Sequence, residues 1–188
     1  MLEQLLLTVL MTSVPLIFAA TGELVAERSG VLNLGVEGMM LMGAVAAFAT
    51  AFGTGNLWLA IIVGGLAGAL TGGVFALFAL GFATNQVATG LALTIFGTGL
   101  SGLVGAPLVV HAIDGLPQIT IPVLSNLPFV GALLFSLDPM AYLAVALLAG
   151  VAWFLKRTRG GLVLRAVGDN HDSCLLYTSP SPRDRQKS

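Results

Sequence analysis

Five long apolar runs constrain this 188-residue chain more than any other feature. Each run holds about 20 largely apolar residues, the length that an α-helix needs to cross the hydrocarbon core of a bilayer. Barrel strands would instead alternate polar and apolar residues over about 10 positions, and these runs do not. We therefore predict an all-α, polytopic transmembrane helical bundle with five spans, at about residues 5–22, 31–52, 57–83, 87–110 and 140–155.

The composition supports a membrane protein. Only 9% of the residues are charged, whereas a soluble domain carries about 25% charged residues to cover its surface. The net charge of −1 points to no nucleic-acid partner, and the single cysteine, Cys174, excludes an intrachain disulfide framework. The N-terminus lacks the basic region and small-residue cleavage site of a secretory signal, so we expect the first run to be a retained span.

The basic residues predict the orientation in the membrane. Of the five that precede residue 174, only Arg28 lies outside the segment 156–165. Cytoplasmic loops are enriched in Lys and Arg, so this segment is predicted to be cytoplasmic. Counting back through the spans places the N-terminus outside and the predicted loop 23–28 inside. The proline-rich segment 111–138, which has no Lys or Arg, is then outside, and we expect short strands or re-entrant or interfacial pieces there.

The last residues differ in character from the rest of the chain. Pro, Ser and charged residues appear together, and the stretch from Cys174 to Asp184 reads as an in-frame translation of a transposase sequencing adapter. We interpret residues 174–188 as a disordered adapter translation, with an ordinary disordered polar tail as the alternative. Residues 1–173 are predicted to form one partial transmembrane domain.

Glycines recur at helical spacing in two of the spans. Gly64, Gly68 and Gly72 lie four residues apart in the third span, beside Gly65 and Gly73, and the fourth span carries Gly90, Gly97, Gly102 and Gly105. Small residues at this spacing let another helix approach closely in lipid. We expect helix packing within one subunit, with a dimer contact or a sliding surface as the alternative.

Polar residues at the starts of two spans are candidates for function. Glu37 is the only carboxylate inside an apolar run, and Asn33 lies four residues earlier on the same helical face. Asn85 and Gln86 open the fourth span. An ionisable group at membrane depth is a functional candidate by default. The structural alternative is an anchor near the headgroups for Asn33 and Glu37, and helix capping or helix–helix hydrogen bonding for Asn85 and Gln86.

The segment that follows the fifth span predicts a short surface helix. Gly160 and Gly161 allow a sharp turn, and residues 162–169 can then form a helix. Leu162, Arg165, Ala166 and Asp169 would share one side, and Arg165 can pair with Asp169. Such a helix can present a face to a cytoplasmic partner, the alternative being a basic anchor at the membrane surface.

The sequence shows no catalytic or metal site. No cluster of metal ligands, no nucleophile with a base and no G-x-x-x-x-G-K-[ST] phosphate loop is present. We therefore predict no enzyme, no cofactor and no ATP hydrolysis by this route.

Three segments together resemble a known family. They are ERSGVLNLGVEGMMLMGA at 27–44, NQVATGLALTIFGTGL at 85–100 and TRGGLVLRAVGDN at 158–170. The chain is similar to the permease subunits of ATP-binding-cassette (ABC) importers for nucleosides and simple sugars, in the group that includes branched-chain amino acid and ribose permeases. Full members of this family continue with further spans, so the chain is shorter than its family.

The resemblance implies a multi-pass inner-membrane subunit with several partners: a second permease subunit, cytoplasmic ABC ATPase subunits and an extracytoplasmic substrate-binding protein. It implies an ATPase-coupling region at Gly161, Leu164, Arg165, Ala166, Gly168 and Asp169. Its candidates for the substrate pathway are Asn33, Glu37, Asn85 and Gln86. An ion-gradient-driven transporter or channel remains the main alternative, followed by a membrane-embedded enzyme and a structural assembly subunit.

Overall fold

The computed structural model describes residues 2–113, 115–117 and 137–170, and all regular structure in these ranges is helical. The five long helices are long and apolar enough to cross a membrane, which confirms the predicted bundle. The sixth is short and amphipathic. The helices are α1 (Leu2–Arg28), α2 (Val36–Thr54), α3 (Leu57–Ala76), α4 (Gln86–Gly105), α5 (Pro139–Arg157) and α6 (Arg159–Asp169), with a π-helical turn at Leu77–Gly81 after α3 and a 3₁₀ turn at Ala106–Leu108 after α4.

The first helix is longer than predicted. It continues through residues 23–28, which were predicted to form a loop because they lie between the first two apolar runs. Glu, Leu, Ala and Arg are all good helix formers, and no Gly or Pro interrupts this stretch. The helix ends in a Schellman motif, because the Val31 amide donates to the Ala26 carbonyl oxygen and the Gly30 amide donates to that of Glu27.

The second helix starts later than predicted, at Val36 instead of residue 31. The Asn33 side chain turns the backbone here, since its Oδ1 accepts a hydrogen bond from the Gly35 amide at 3.0 Å. This local bond to the backbone two residues on is typical of an Asx turn and competes with helix formation. Residues 29–35, which we call the connector, therefore join α1 to α2 as non-helical chain.

The long helices form two groups. α2 packs extensively against both α3 and α4, whereas α1 packs against α5 and α6 and makes little contact with α2. Phe75, Ala79 and Leu93 form a buried cluster where α3 and its π-helical turn meet α4, and Met39 of α2 packs against it. Most other large apolar side chains face outward, such as Leu70 and Ile95, which are more than 70% exposed. This outward apolar surface is what a lipid solvent requires.

Glycines make the closest helix contacts, as predicted. A Cβ on Gly97 would lie 2.6 Å from the Cα of Gly38, and a Cβ on Gly64 would lie 2.9 Å from the carbonyl oxygen of Gly43. Real Cβ atoms do not approach so closely, so α3 and α4 can touch α2 only because these positions lack a side chain. The contacts at Gly64 and Gly97 are therefore made within one subunit, as expected, whereas a Cβ on Gly102 meets nothing within 4 Å among the described residues. The alternative of a dimer contact or sliding surface stays a prediction.

Candidate coupling helix and solute pathway

The turn between α5 and α6 is built around Thr158. Its hydroxyl donates to the Phe154 carbonyl oxygen at 2.7 Å and accepts from the Gly161 amide at 3.0 Å. Thr158 thus ends one helix and caps the next. The predicted turn at Gly160 and Gly161 is wrong, since both residues are helical. Gly161 is required for another reason: a Cβ there would overlap the backbone of Phe154.

Helix α6 docks on the end of α1 through two glycines. Gly168 lies against Gly30, and a Cβ on Gly168 would lie 2.9 Å from the Gly30 nitrogen and would overlap the Arg28 carbonyl oxygen. Gly30 has a φ of +84°, a conformation that favours glycine. The C-terminal end of α6 is therefore held against backbone, with no side chain between the two elements.

The structure divides the predicted coupling residues between two faces of α6. Gly161 is buried, and Leu164, Arg165 and Gly168 are partly buried toward the body of the protein. Ala166 and Asp169 are exposed, together with Arg159, Leu162 and Val163, at spacings of three and four residues that define the outward face.

Arg165 lies at the edge between the two faces. Its Nε is buried and has no hydrogen-bond partner within the described ranges, and no ion pair there joins it to Asp169. The predicted pairing of these two residues is therefore absent from the described part of the chain, and Arg165 does not share the outward face of Leu162 and Asp169.

The outward face of α6 is apolar at its centre. Leu162 and Val163 are 59% and 60% exposed, although the helix lies beyond the end of the last described span. Exposed apolar side chains on a short amphipathic helix next to basic residues are suited to a protein partner or to the membrane surface.

The connector is fixed to α4 by polar contacts. Oε1 of Gln86 accepts a hydrogen bond from the Leu32 amide at 2.8 Å, and the Thr94 hydroxyl donates to the Leu34 carbonyl oxygen at 2.9 Å. Gly90 lies on α4 between Gln86 and Thr94, and a Cβ there would be 2.9 Å from the Leu34 nitrogen. Gln86 therefore bonds to the non-helical connector, and neither caps α4 nor joins two helices as the structural alternative expected.

Asn85 and Glu37 both lie at the start of a helix. Asn85 is exposed and caps α4, since its Oδ1 accepts from the Ala88 amide at 3.1 Å, as the structural alternative predicted. Glu37 is exposed in the first turn of α2, where a negative charge favours the helix dipole. The structure does not bring these two side chains together with Asn33 in one site.

A cavity of about 560 Å³, which no sequence pattern indicated, lies between α1, α2 and α3. Its polar lining includes Glu23 and Asn33, and its walls include Met39, Gly64 and Gly68. Oε1 of Glu23 accepts a hydrogen bond from the Asn33 amide at 3.2 Å. Glu23 was not a candidate because the first predicted span ended at residue 22, although the uninterrupted run of helix formers around Glu23 signals a helical position.

The described residues include no group of three or more His, Cys, Asp or Glu side chains that would hold a metal ion. Their arrangement is five membrane-spanning helices followed by a short amphipathic helix docked on the end of the first. It defines a polytopic membrane protein with the Glu23 carboxylate in the lining of a cavity and with a surface helix suited to a partner.

Comparison with known proteins places it more narrowly. The family model described as branched-chain amino acid transport system / permease component matches residues 5–176. The chain belongs to this permease family and is a multi-pass inner-membrane protein.

Three relatives illustrate the range of the family. One, from Haloferax volcanii, bears the provisional name glucose ABC transporter permease protein TsgC13 and is 43% identical over 159 residues, 82% of this chain and 48% of its own length. Nucleoside ABC transporter permease protein NupC of Lactococcus lactis is 31% identical over 90% of this chain and 57% of its own length. Guanosine ABC transporter permease protein NupQ of Bacillus subtilis is 33% identical over 86% and 54%, respectively. The chain thus spans about half the length of these relatives, and no solved structure matches it.

Proposed function

We propose that this chain is part of the membrane-spanning subunit of an ABC importer that moves nucleosides or simple sugars into the cell. The names of the three relatives support this class of transporter and this range of solutes. The structural observation that carries the proposal is the docked helix α6, because an importer driven by a separate ATPase needs a rigid cytoplasmic element through which ATP-driven closure moves the spans.

The two faces of α6 suggest two roles for the coupling residues: contact with the ATPase subunit and attachment of α6 to the spans. Ala166 and Asp169, with Leu162 and Val163 beside them, would contact the ATPase subunit on the outward face. The inward residues Gly161, Leu164, Arg165 and Gly168 would hold α6 on α1 and α5. Movement of α6 would then reach α1 directly, and would reach α4 through the connector and Gln86.

The proposal includes the remaining partners and the domain division. A second permease subunit and an extracytoplasmic substrate-binding protein would complete the importer, and ATP would be hydrolysed on the ATPase chains. Residues 1–173 would form a partial permease domain, and residues 174–188, which lie beyond the described ranges, would be the adapter translation. Of the pathway candidates, Asn33 is the best supported because it lines the cavity; Glu37, Asn85 and Gln86 stay predictions.

Reconstitution tests this function. The complete permease, its ATPase and its binding protein are placed in proteoliposomes, and uptake of labelled guanosine and glucose is followed with ATP on the ATPase side. We expect uptake of at least one solute that requires ATP and persists when ionophores remove all ion gradients. Uptake that follows an ion gradient without ATP would instead establish the secondary transporter.

A further inference from the structure

The cavity between α1, α2 and α3 has the size and lining of a small-molecule site. Its volume of about 560 Å³ falls within the 300–1,000 Å³ that ligand pockets commonly have. The walls are mostly apolar side chains and glycine backbone, and the polar groups gather on one side, at Glu23 and Asn33. A few polar groups in an apolar cavity are the usual means of orienting a ligand.

Only one oxygen of the Glu23 carboxylate has a hydrogen-bond partner among the described residues. Oε1 accepts from the Asn33 amide, whereas Oε2 is buried and has no hydrogen-bond partner among the described residues. No ion pair with a basic side chain of the described ranges satisfies it either. An ionised carboxylate only accepts hydrogen bonds, and leaving a buried acceptor unpaired is costly. A hydrogen-bond donor bound in the cavity beside Glu23 would give this carboxylate a further partner.

The position of Glu23 suits a group that meets the solute inside the membrane. It lies five residues before the end of α1, or about 8 Å along the helix at 1.5 Å per residue. The cavity extends from there along α2 to Gly43 and along α3 to Gly64. A solute bound in it would be surrounded by three spans and would touch the residues next to the connector.

We propose that this cavity binds the hydroxyl-bearing part of the transported solute, with the Glu23 carboxylate accepting a hydrogen bond from a sugar or ribose hydroxyl. The inference rests on the proposed import function and names the chemical group that the site recognises. Hydroxyls are the donors that simple sugars and nucleosides share, so one carboxylate can serve both kinds of solute. A hydrogen bond to a charged acceptor is about twice as strong as a neutral one, which makes this contact a determinant of affinity.

The test compares Glu23→Gln with Glu27→Gln in the complete transporter with its ATPase and binding protein. The Gln variant keeps a carbonyl oxygen for the Asn33 amide, removes the charge and replaces the second acceptor oxygen with an amide NH2 donor. Glu27 lies one helical turn further on and is exposed, so Glu27→Gln is the matched control. Initial rates of guanosine uptake are measured against those of its 2′-, 3′- and 5′-deoxy analogues. Glucose and its deoxy analogues replace them if glucose is the solute taken up.

We expect Glu23→Gln to raise KM for the hydroxylated solute about tenfold, the scale set by one charged hydrogen bond. Maximal ATP-dependent uptake should stay within twofold. For one deoxy analogue, the Glu23→Gln and unaltered transporters should have the same KM, because the contact is already missing. An unchanged KM for the parent solute would overturn the inference. The inference would also be overturned if Glu23→Gln changed KM by the same factor for the parent solute and for every deoxy analogue. Glu23 would then only hold the connector.

A second pair of variants tests the cavity without touching Glu23. Gly65 lines the cavity and Gly73 does not, and a Cβ at either position meets open space. We expect Gly65→Leu to lower uptake at least tenfold and Gly73→Leu to leave it within twofold. Equal effects of the two would refute the site. Absence of guanosine and glucose uptake by the unaltered transporter is a separate result, which would reject the proposed function itself.

Discussion

The contact between Gly168 and the end of α1 allows a sharp prediction for Gly168→Ala. The added Cβ would lie 2.9 Å from both the Gly30 nitrogen and the Ser29 carbonyl carbon, and it would overlap the Arg28 carbonyl oxygen. These neighbours are backbone atoms at the end of a 27-residue helix, so no side chain can rotate away to make room. Helix α6 must therefore shift away from α1.

The expected magnitude follows from two opposing terms. Overpacking a close contact costs about 1–3 kcal/mol, whereas replacing Gly by Ala inside a helix gains up to about 1 kcal/mol. The docking of α6 should then weaken by a net of about 1–2 kcal/mol, which is a factor of 5–30 in the population of the undocked state. The substitution should reduce docking of α6 without unfolding the spans.

Hydrogen exchange of the α6 amides measures this opening directly. In the complete permease, we expect Gly168→Ala to raise exchange rates of the amides in α6 about 5–30-fold and to leave those of α2 unchanged. In the full importer, ATP hydrolysis should continue while uptake per ATP falls. Gly150→Ala on α5, where a Cβ meets open space, is the matched control and should change neither quantity. Unaltered α6 exchange in Gly168→Ala, or equal changes in both variants, would refute the docking argument.

Three further predictions concern the packing of α4, its contact with the connector and the side of the membrane on which α6 lies. Gly97→Ala places a Cβ 2.6 Å from Gly38 and should lower the melting temperature in detergent through a cost of about 1–3 kcal/mol, whereas Gly99→Ala, with open space around it, should not. Gln86→Ala removes the acceptor of a connector amide and should cost about 1 kcal/mol, seen as faster exchange confined to the connector; unchanged exchange there would contradict it. A cysteine at Arg159 in a cysteine-free permease should react with a membrane-impermeant maleimide in inside-out vesicles only, and labelling from outside intact cells would invert the predicted topology.

Hydropathy was enough to predict the spans because each is a long apolar run, but it could not predict where the helices end. The first apolar run ends at residue 22, whereas helix propensity extends α1 past Glu23 to Arg28. The start of α2 depends on one side chain, since Asn33 bonds to the Gly35 amide and delays the helix to Val36. Local side-chain hydrogen bonds of this kind leave no trace in a hydropathy average.

The candidate site was predictable only in part. The short helix after the fifth span was expected from its pattern, but its inward face depends on the contact of Gly168 with Gly30. These glycines are far apart in sequence, so no local period reveals which side of α6 is covered. For the same reason Arg165, expected on the face of Leu162, lies at its edge.

The distribution of glycines explains why the cavity lies beside α1. In lipid, no hydrophobic force drives helices together, so close packing and polar contacts must hold them. Gly38 and Gly43 bring α2 against α4 and α3, but no comparable glycine pair joins α1 to α2 in the described residues. That junction depends instead on the hydrogen bond between Glu23 and the Asn33 amide. The same carboxylate thus holds the connector against α1 and lines the space between α1 and α2. Its substitution by Ala should therefore disturb structure and solute binding together, whereas Gln should separate the two effects.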